Sequence, residues 1–306
     1  MPVIIGRNRL PAMPPRAVVT IGMFDGVHRA HQRLIRTAVR LARRLRGTSV
    51  AVTFDPDPQL VLDPRHAPPP LMPLARRLKL IEDLGAHLIW VIRFTPAFSR
   101  ISPDEFIRSL LWRQLRARWV VVGDAFAFGK DRRGDLSLLR RGGSSYGMRI
   151  MALPAVRSGD APISSSRIRR LVQHGALAEA RQLLGRHVEL SGRVVHGVGR
   201  ASRLGFPTAN IKLHATLLPP HGVYRVVTSL RGRRHEGLMN LGTRPTFGRG
   251  GGVVCEVHLP RFRGQLYGHT VTLSLLEYLR RERRFTDRDA LIRQIRRDLR
   301  RVKLLP

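Results

Sequence analysis

The sequence predicts two folded halves: an α/β half built on a parallel sheet with helices on both faces, then an antiparallel β-barrel closed by a C-terminal helix. Two observations carry this. Up to about Leu184, β-branched apolar runs alternate with segments of helical period, the pattern of β-α-β units. From His187 onward, short strands follow one another between Gly and Pro turns, the pattern of an antiparallel barrel. The 306 residues are enough for two cores, and the 43% hydrophobic content suits globular folding. The division is placed at Leu184-Gly185-Arg186, giving domains 1–184 and 185–306.

In order, Ala17-Val18-Val19-Thr20-Ile21 is a short β-branched strand. Leu34, Ile35, Ala38, Val39, Leu41 and Ala42 then recur at helical spacing. Ser49 to Phe54 is the next strand, and a Pro-rich loop runs from Asp55 to Pro73. A helix is predicted from Leu74 to Leu84 and a strand from His87 to Ile92. Ser102-Pro103-Asp104-Glu105 opens a further helix, with Ser as N-cap, Pro in the first turn and Glu three residues on. Trp119 to Val122 and Ile150 to Leu153 complete the parallel set. The barrel strands are read at Val188–Val195, Gly222–Ser229, Glu236–Asn240, Val253–Leu259 and Val271–Leu276. Asp287 to Val302 is an amphipathic helix with Leu291, Ile292, Ile295 and Leu299 on one face.

Composition excludes several classes. No apolar run reaches the roughly 20 residues of a membrane helix. Met1 to Arg16 is broken by prolines and has no apolar signal core, so a cytoplasmic protein is expected. Cys255 is the only cysteine, which removes internal disulfides and thiolate metal clusters. The net charge of +34, mostly arginine, favours anionic ligands without identifying one, because the basic residues are spread along the whole chain.

The stretch Thr20-Ile21-Gly22-Met23-Phe24-Asp25-Gly26-Val27-His28-Arg29-Ala30-His31 leaves a strand, passes through glycines and enters a helix. Backbone N–H groups and the helix dipole hold phosphate at such a place. His28 and His31, three apart, share a helix face and can donate hydrogen bonds to charge that develops on a phosphate. Two surface histidines on an ordinary strand-turn-helix is the plainer alternative. Further on, Ile163-Ser164-Ser165-Ser166-Arg167-Ile168-Arg169 places serines at a helix start with an arginine one turn in. Phe126 and Phe128, in Val121-Val122-Gly123-Asp124-Ala125-Phe126-Ala127-Phe128-Gly129, either wall an aromatic ligand or fill the core.

The second half has no P-loop, but it holds Leu204-Gly205-Phe206-Pro207-Thr208-Ala209-Asn210, a turn that presents a hydroxyl and an amide oxygen. It continues with Gly222-Val223-Tyr224, Asn240-Leu241-Gly242-Thr243-Arg244-Pro245-Thr246-Phe247, Glu256 on a strand, and Leu279-Arg280-x-Glu282 with Phe285.

These motifs, in this order from about Val18 to Leu299, resemble those of the bacterial bifunctional riboflavin kinase/FMN adenylyltransferase (FAD synthetase) family. The resemblance implies a Rossmann-like nucleotidyltransferase domain followed by a riboflavin kinase barrel. It implies that riboflavin is phosphorylated to FMN with Mg-ATP and that FMN is adenylylated to FAD with a second Mg-ATP, releasing pyrophosphate. By the same resemblance His28, His31, Arg169 and Glu256 are catalytic, Glu256 as the base for the riboflavin 5′-hydroxyl. Gly22, Phe24, Asp25, Gly26, Ser164, Ser165, Ser166, Gly205, Pro207, Thr208 and Asn210 would bind ATP or its phosphates, with Thr208 and Asn210 also on Mg²⁺. Phe54, Phe126, Phe128, Asn240 and Arg280 would contact flavin.

The chain departs from the family pattern at four positions of the first half. Ala30 replaces a Gly, Asp57 replaces a His in Phe54-Asp55-Pro56-Asp57-Pro58, and Ala125 and Ala127 replace polar residues. Serine at position 166 keeps the hydroxyl of the family's Thr, whereas Ala201-Ser202 and Pro260 to Gln265 also differ from the usual sequence. The four departures motivate a second reading, a degenerate paralogue with riboflavin kinase activity only. The charge alone suggests a third, a basic nucleic-acid-binding protein, against which stands the lack of a helix-turn-helix, zinc-finger or RNA-binding signature. The expected partners are therefore small molecules, with no specific nucleic acid, no membrane and at most a weak homo-oligomer.

Overall fold

The structure, a computed structural model, describes residues 3–6, 16–196, 205–243, 252–283 and 285–304. The chain forms two compact units: Met1–Pro69 with Leu74–Ser165, and Pro70–Pro73 with Ser166–Pro306.

The first unit runs β1 (Val3–Ile5), β2 (Ala17–Ile21), α1 (Arg29–Arg44), β3 (Ser49–Asp55), α2 (Pro58–Leu62), α3 (Leu74–Asp83) and β4 (Leu88–Arg93). It continues with α4 (Pro96–Ser99), α5 (Pro103–Glu105), a π-helix (Phe106–Gln114), β5 (Ala117–Gly123), α6 (Leu136–Ser145), β6 (Arg149–Leu153) and the short pair β7 (Arg157–Ser158) and β8 (Ala161–Pro162). Strands β1 to β6 make one sheet in the order β1-β4-β3-β2-β5-β6, with every neighbouring pair parallel. Val18 and Val121 pack with Ala38 and Ala42 of α1 on one face, while Val19, Val120 and Val122 enter a larger cluster with Phe106, Leu111 and Leu139 on the other. Burial on both faces is why these strands read as nearly unbroken apolar runs. Ser102 caps α5 as its sequence predicts, accepting from the Glu105 N–H at 3.1 Å.

One expectation needs correction here. The Asp55–Pro73 loop contains α2, because Asp57 caps it by accepting from the Gln59 N–H at 2.9 Å and Pro58 occupies the first turn. The proline-broken N-terminal stretch contributes β1, which pairs with β4 at the sheet edge.

The second unit holds α7 (Ser165–Gln173), whose first residue belongs to the other unit, and α8 (Leu177–Leu184). Six strands follow: β9 (Val188–Val195), β10 (Thr208–Leu213), β11 (Gly222–Leu230), β12 (Arg233–Thr243), β13 (Val253–His258) and β14 (Thr270–Arg280). They close an antiparallel barrel in the order β10-β13-β12-β11-β14-β9. Helix α9 (Arg288–Arg301) comes last, capped by Asp287 accepting from the Ala290 N–H at 2.7 Å. Tyr224, Val226, Met239, Leu241, Cys255 and Val257 are buried and fill the barrel. The alternate positions Val223 and Leu238 face outward onto Leu299 and Val302 at the end of α9. Cys255 is a free thiol that burial pushes up to about 12, so it is inert filling.

Helix α9 is fixed by charge as well as by packing. The Arg280 guanidinium grips Asp298 through Nε at 3.0 Å and Nη2 at 2.8 Å, and Gln294 Nε2 donates to the same carboxylate at 2.7 Å. Asp298 is 5% exposed, so removing its partner strands a buried charge. Arg280→Met is expected to destabilise the barrel by about 3 kcal/mol, the lower end for a broken buried pair, because 15% of the arginine side chain stays exposed. Urea melts of the parent and the variant measure this.

Candidate active sites

In the first sheet, chain order runs outward in opposite directions from β2 and β5. The crevice outside the carboxyl ends of such a strand pair is where open α/β sheets bind ligands. Gly22 follows β2 there and Gly123 ends β5. From Gly22 the chain turns sharply into α1: Phe24 has φ 52°, Gly26 φ 80° and Val27 φ 38°, and the Val27 N–H donates to the Phe24 carbonyl at 2.9 Å. Glycine suits position 26 because an L side chain there is strained.

His28 is the N-cap of α1 rather than part of the helix, a correction to the expected shared helix face. Its Nδ1 accepts from the His31 backbone N–H at 3.4 Å, which leaves Nε2 as its donor. The two imidazoles stack with centroids 3.5 Å apart, and Phe24 meets His31 edge-on at 5.3 Å. Burial, then the charges of His28 and Arg77, hold the His31 imidazolium well below the usual histidine range. His31 is thus neutral near pH 7, and its buried Nδ1 has no hydrogen-bond partner among the described residues.

The serine segment meets this turn. Ser165 Oγ donates to the Asp25 carbonyl at 2.9 Å, joining the start of α7 to the loop before His28. Ser164 immediately precedes α7; Ser166 and Arg169 lie further along it, within the second unit. Ala30 is the second residue of α1 and Asp57 is the α2 cap, so that departure has a local structural role.

Around the end of β5, Phe126 stacks on Phe128 at 5.5 Å. Phe128 is 5% exposed and packs on Phe106 at 5.1 Å, so it belongs to the core, and Phe126 is the ring with surface to offer. Phe54, at the end of β3, joins Phe94 and Phe98 in an aromatic trio with centroids 5.6–5.9 Å apart.

Sequence reasoning missed Arg77. It lies on α3 in the same stripe as Leu74 and Ile81, and it is 6% exposed. A basic residue at a core-facing position was the available signal, but Arg76 beside it carries the same charge.

In the barrel, strand register assembles the second site. Glu256 on β13 pairs with Asn210 of β10 on one side and with Asn240 of β12 on the other. Directly opposed residues share a face, so Asn210, Glu256 and Asn240 form one row on the outer wall. Thr208, two residues before Asn210, opposes His258 in the next row. His258 is held by the Pro207 carbonyl at 2.8 Å and by an edge contact to Phe206, which fixes the Gly205–Thr208 turn. Gly242 stands against Glu282, where a Cβ would lie 2.2 Å from the carboxylate. Arg280 continues the Asn240 row through Val223, but its guanidinium is engaged by Asp298 as described. Leu204, Ala201-Ser202 and Arg244-Pro245-Thr246-Phe247 lie outside the described residues.

Thr208 and Asn210 are hard oxygen donors on alternate positions of one strand, with a carboxylate beside them. That set fits Mg²⁺, which takes one or two protein oxygens and completes its shell with phosphate and water. No cluster of three His, Cys, Asp or Glu side chains that would cage a metal occurs among the described residues. Cavity size does not mark this site. A cleft of about 650 Å³ in the same unit is lined instead by residues that include Arg225, Arg234, Glu236, Arg261 and Arg301, and none of Thr208, Asn210, Asn240 or Glu256 lines it.

Comparison with known proteins agrees in both halves. The FAD synthetase family matches residues 10–167 and the riboflavin kinase family matches residues 184–305. The bifunctional riboflavin kinase/FMN adenylyltransferase of Escherichia coli strain K12 is 36% identical over 300 residues, covering 97% of this chain and 96% of that protein. The protein of that description from Pseudomonas fluorescens is 34% identical over 299 residues, covering 98% and 96%. Among solved structures, one described as a macrolide-efflux protein from Streptococcus pneumoniae superposes with a TM-score of 0.89 at 29% identity, covering 99% of both chains. No helix among the described residues is long and apolar enough to cross a membrane.

Proposed function

The chain belongs to the bifunctional riboflavin kinase/FMN adenylyltransferase family, and from that premise we propose how its residues divide the two reactions. It phosphorylates riboflavin to FMN and adenylylates FMN to FAD, with ATP as donor in both steps. All four departures in the first half fall inside the stretch that matches FAD synthetases.

The observation that carries the kinase assignment is the Asn210–Glu256–Asn240 register. Glu256 accepts the proton of the riboflavin 5′-hydroxyl while that oxygen bonds to the γ-phosphorus of ATP and ADP leaves. Asn240 orients the flavin side of the row, and Thr208 and Asn210 would hold Mg²⁺, which when bound would neutralise charge on the phosphates. Arg280 acts as a positioning residue, keeping β14 and α9 together.

In the first unit, an FMN phosphate oxygen bonds to the α-phosphorus of ATP as the bond to pyrophosphate breaks. No protein nucleophile is needed, so positioning and hydrogen bonding supply the acceleration. His28 Nε2 and the neutral His31 imidazole donate to the transferring phosphate, and the N-terminal dipole of α1 attracts the rest of the triphosphate. Ser164 supplies a further donor, Ser165 holds the turn through the Asp25 carbonyl, and Phe126 walls the isoalloxazine ring. A cytoplasmic setting is part of the same proposal.

The deciding experiment incubates the chain with riboflavin and Mg-ATP and separates products by chromatography over time. FMN appearing first and FAD following is the expected course. FMN that accumulates with no FAD would exclude the adenylyltransferase half.

A further inference from the structure

We propose that Arg77 is a positioning residue for adenylyl transfer, clamping the turn that carries the histidine pair. The inference rests on the assignment of that turn to the adenylyltransferase site. Arg77 Nη1 donates to the Met23 carbonyl at 2.9 Å and Nη2 donates to the Phe54 carbonyl at 3.0 Å. Met23 lies inside the Gly22–His28 turn and Phe54 lies near the end of β3, so one guanidinium ties together the carboxyl ends of two neighbouring strands. Thr53 Oγ1 donates to the same Met23 carbonyl at 3.0 Å, giving that oxygen two side-chain donors. A rigid scaffold needs only one of them.

The clamp is costly, which argues against packing as its reason. Arg77 is buried, its Nε has no hydrogen-bond partner among the described residues, and an Asp55 carboxylate oxygen lies 3.9 Å from its Nη2. A buried N–H of a charged group left unpaired opposes folding. A methionine would fill the same volume without that cost.

The charge also acts on the chemistry. The groups that bear on His31 are His28 and Arg77, while Asp25, Asp55 and Asp57 bear on Arg77 and offset part of its field. Burial chiefly keeps His31 neutral, with one ring nitrogen unprotonated, and the Arg77 cation adds to that effect. Without it, the imidazolium forms at higher pH, the stack with His28 gains a charge, and the turn loses one of its two fasteners.

Arg77→Met and Arg77→Lys are compared with the parent by following FAD formation from supplied FMN across pH, with riboflavin phosphorylation as the internal control for the amount of enzyme and urea melts as the control for folding. Arg77→Met is expected to lower adenylylation at least tenfold, to move the acid limb of its kcat/KM profile to higher pH, and to leave the kinase rate unchanged. Arg77→Lys is expected to restore the acid limb while recovering only part of the rate, since one ammonium replaces the fork. An unchanged rate in Arg77→Met, a rate loss with no movement of the acid limb, or an equal loss of both activities would overturn the proposal. If the parent makes no FAD, the assignment of the site fails instead. The His31 ring titration followed by NMR, which needs no turnover, then still decides whether Arg77 governs that imidazole.

Discussion

Glu256→Gln is expected to lower the rate of riboflavin phosphorylation by about 10²–10⁴-fold, the range a general base supplies, while FAD formation from supplied FMN continues at the parent rate. The substitution is close to isosteric. It keeps a polar side chain between Asn210 and Asn240 on the outer wall, so the row and its strand pairing persist. What disappears is the proton acceptor, because an amide does not take the 5′-hydroxyl proton. Glu256→Asp is expected to fall between the two, since it keeps the carboxylate but draws it back from the hydroxyl by one methylene. Initial rates of FMN appearance at saturating riboflavin and Mg-ATP measure the effect. Phosphorylation at the parent rate in Glu256→Gln would remove Glu256 as the base. Urea melts of the parent and the variant report whether the barrel that carries residue 256 is folded.

How much of this was legible in the sequence follows from how local each feature is. The β2-turn-α1 unit was readable because its strand, its glycines and its histidines fall within 15 residues, Ala17 to His31, and each constrains its own backbone. The sheet and barrel classes followed from period and turn spacing, which also depend on neighbours along the chain. Register was not readable. That Glu256 meets both Asn210 and Asn240 depends on strands 46 and 16 residues away, and a slip of one residue would turn every side chain to the other face. Arg77 stayed hidden for the same reason, since its acceptors at Met23 and Phe54 lie 54 and 23 residues earlier. Strand β1 was missed because three residues carry no period and owe their conformation to β4. Helix α2 was different: Asp57-Pro58 is a sound helix start, and the surrounding prolines obscured it. For Phe128 and Arg280 the family resemblance implied flavin contact, while the packing of Phe128 on Phe106 and the grip of Arg280 on Asp298 depend on residues distant in sequence.

His28→Ala is expected to reduce FMN adenylylation by about 10²–10³-fold, the loss that follows removal of one preorganised donor to a developing charge, and to leave riboflavin phosphorylation unchanged. The alanine variant alone is ambiguous, because His28 also caps α1 through Nδ1. Losing an N-cap costs about 1 kcal/mol, and a frayed first turn would move His31, the third residue of the helix. His28→Asn separates the two roles. An asparagine oxygen accepts from the residue-31 N–H as a favoured N-cap, but the amide cannot place a donor where imidazole Nε2 stands. If the imidazole is the working group, the asparagine variant matches alanine in rate while melting at the parent temperature. If capping is the whole of its role, asparagine restores FAD formation and the assignment of His28 to phosphate falls. The stacked geometry adds a constraint on the pair, since His31 rests on the His28 ring at 3.5 Å and against Phe24 at 5.3 Å. Either substitution therefore loosens His31 as well, and His28→Asn combined with His31→Asn is expected to cost less than the sum of the two single losses, as residues in contact do.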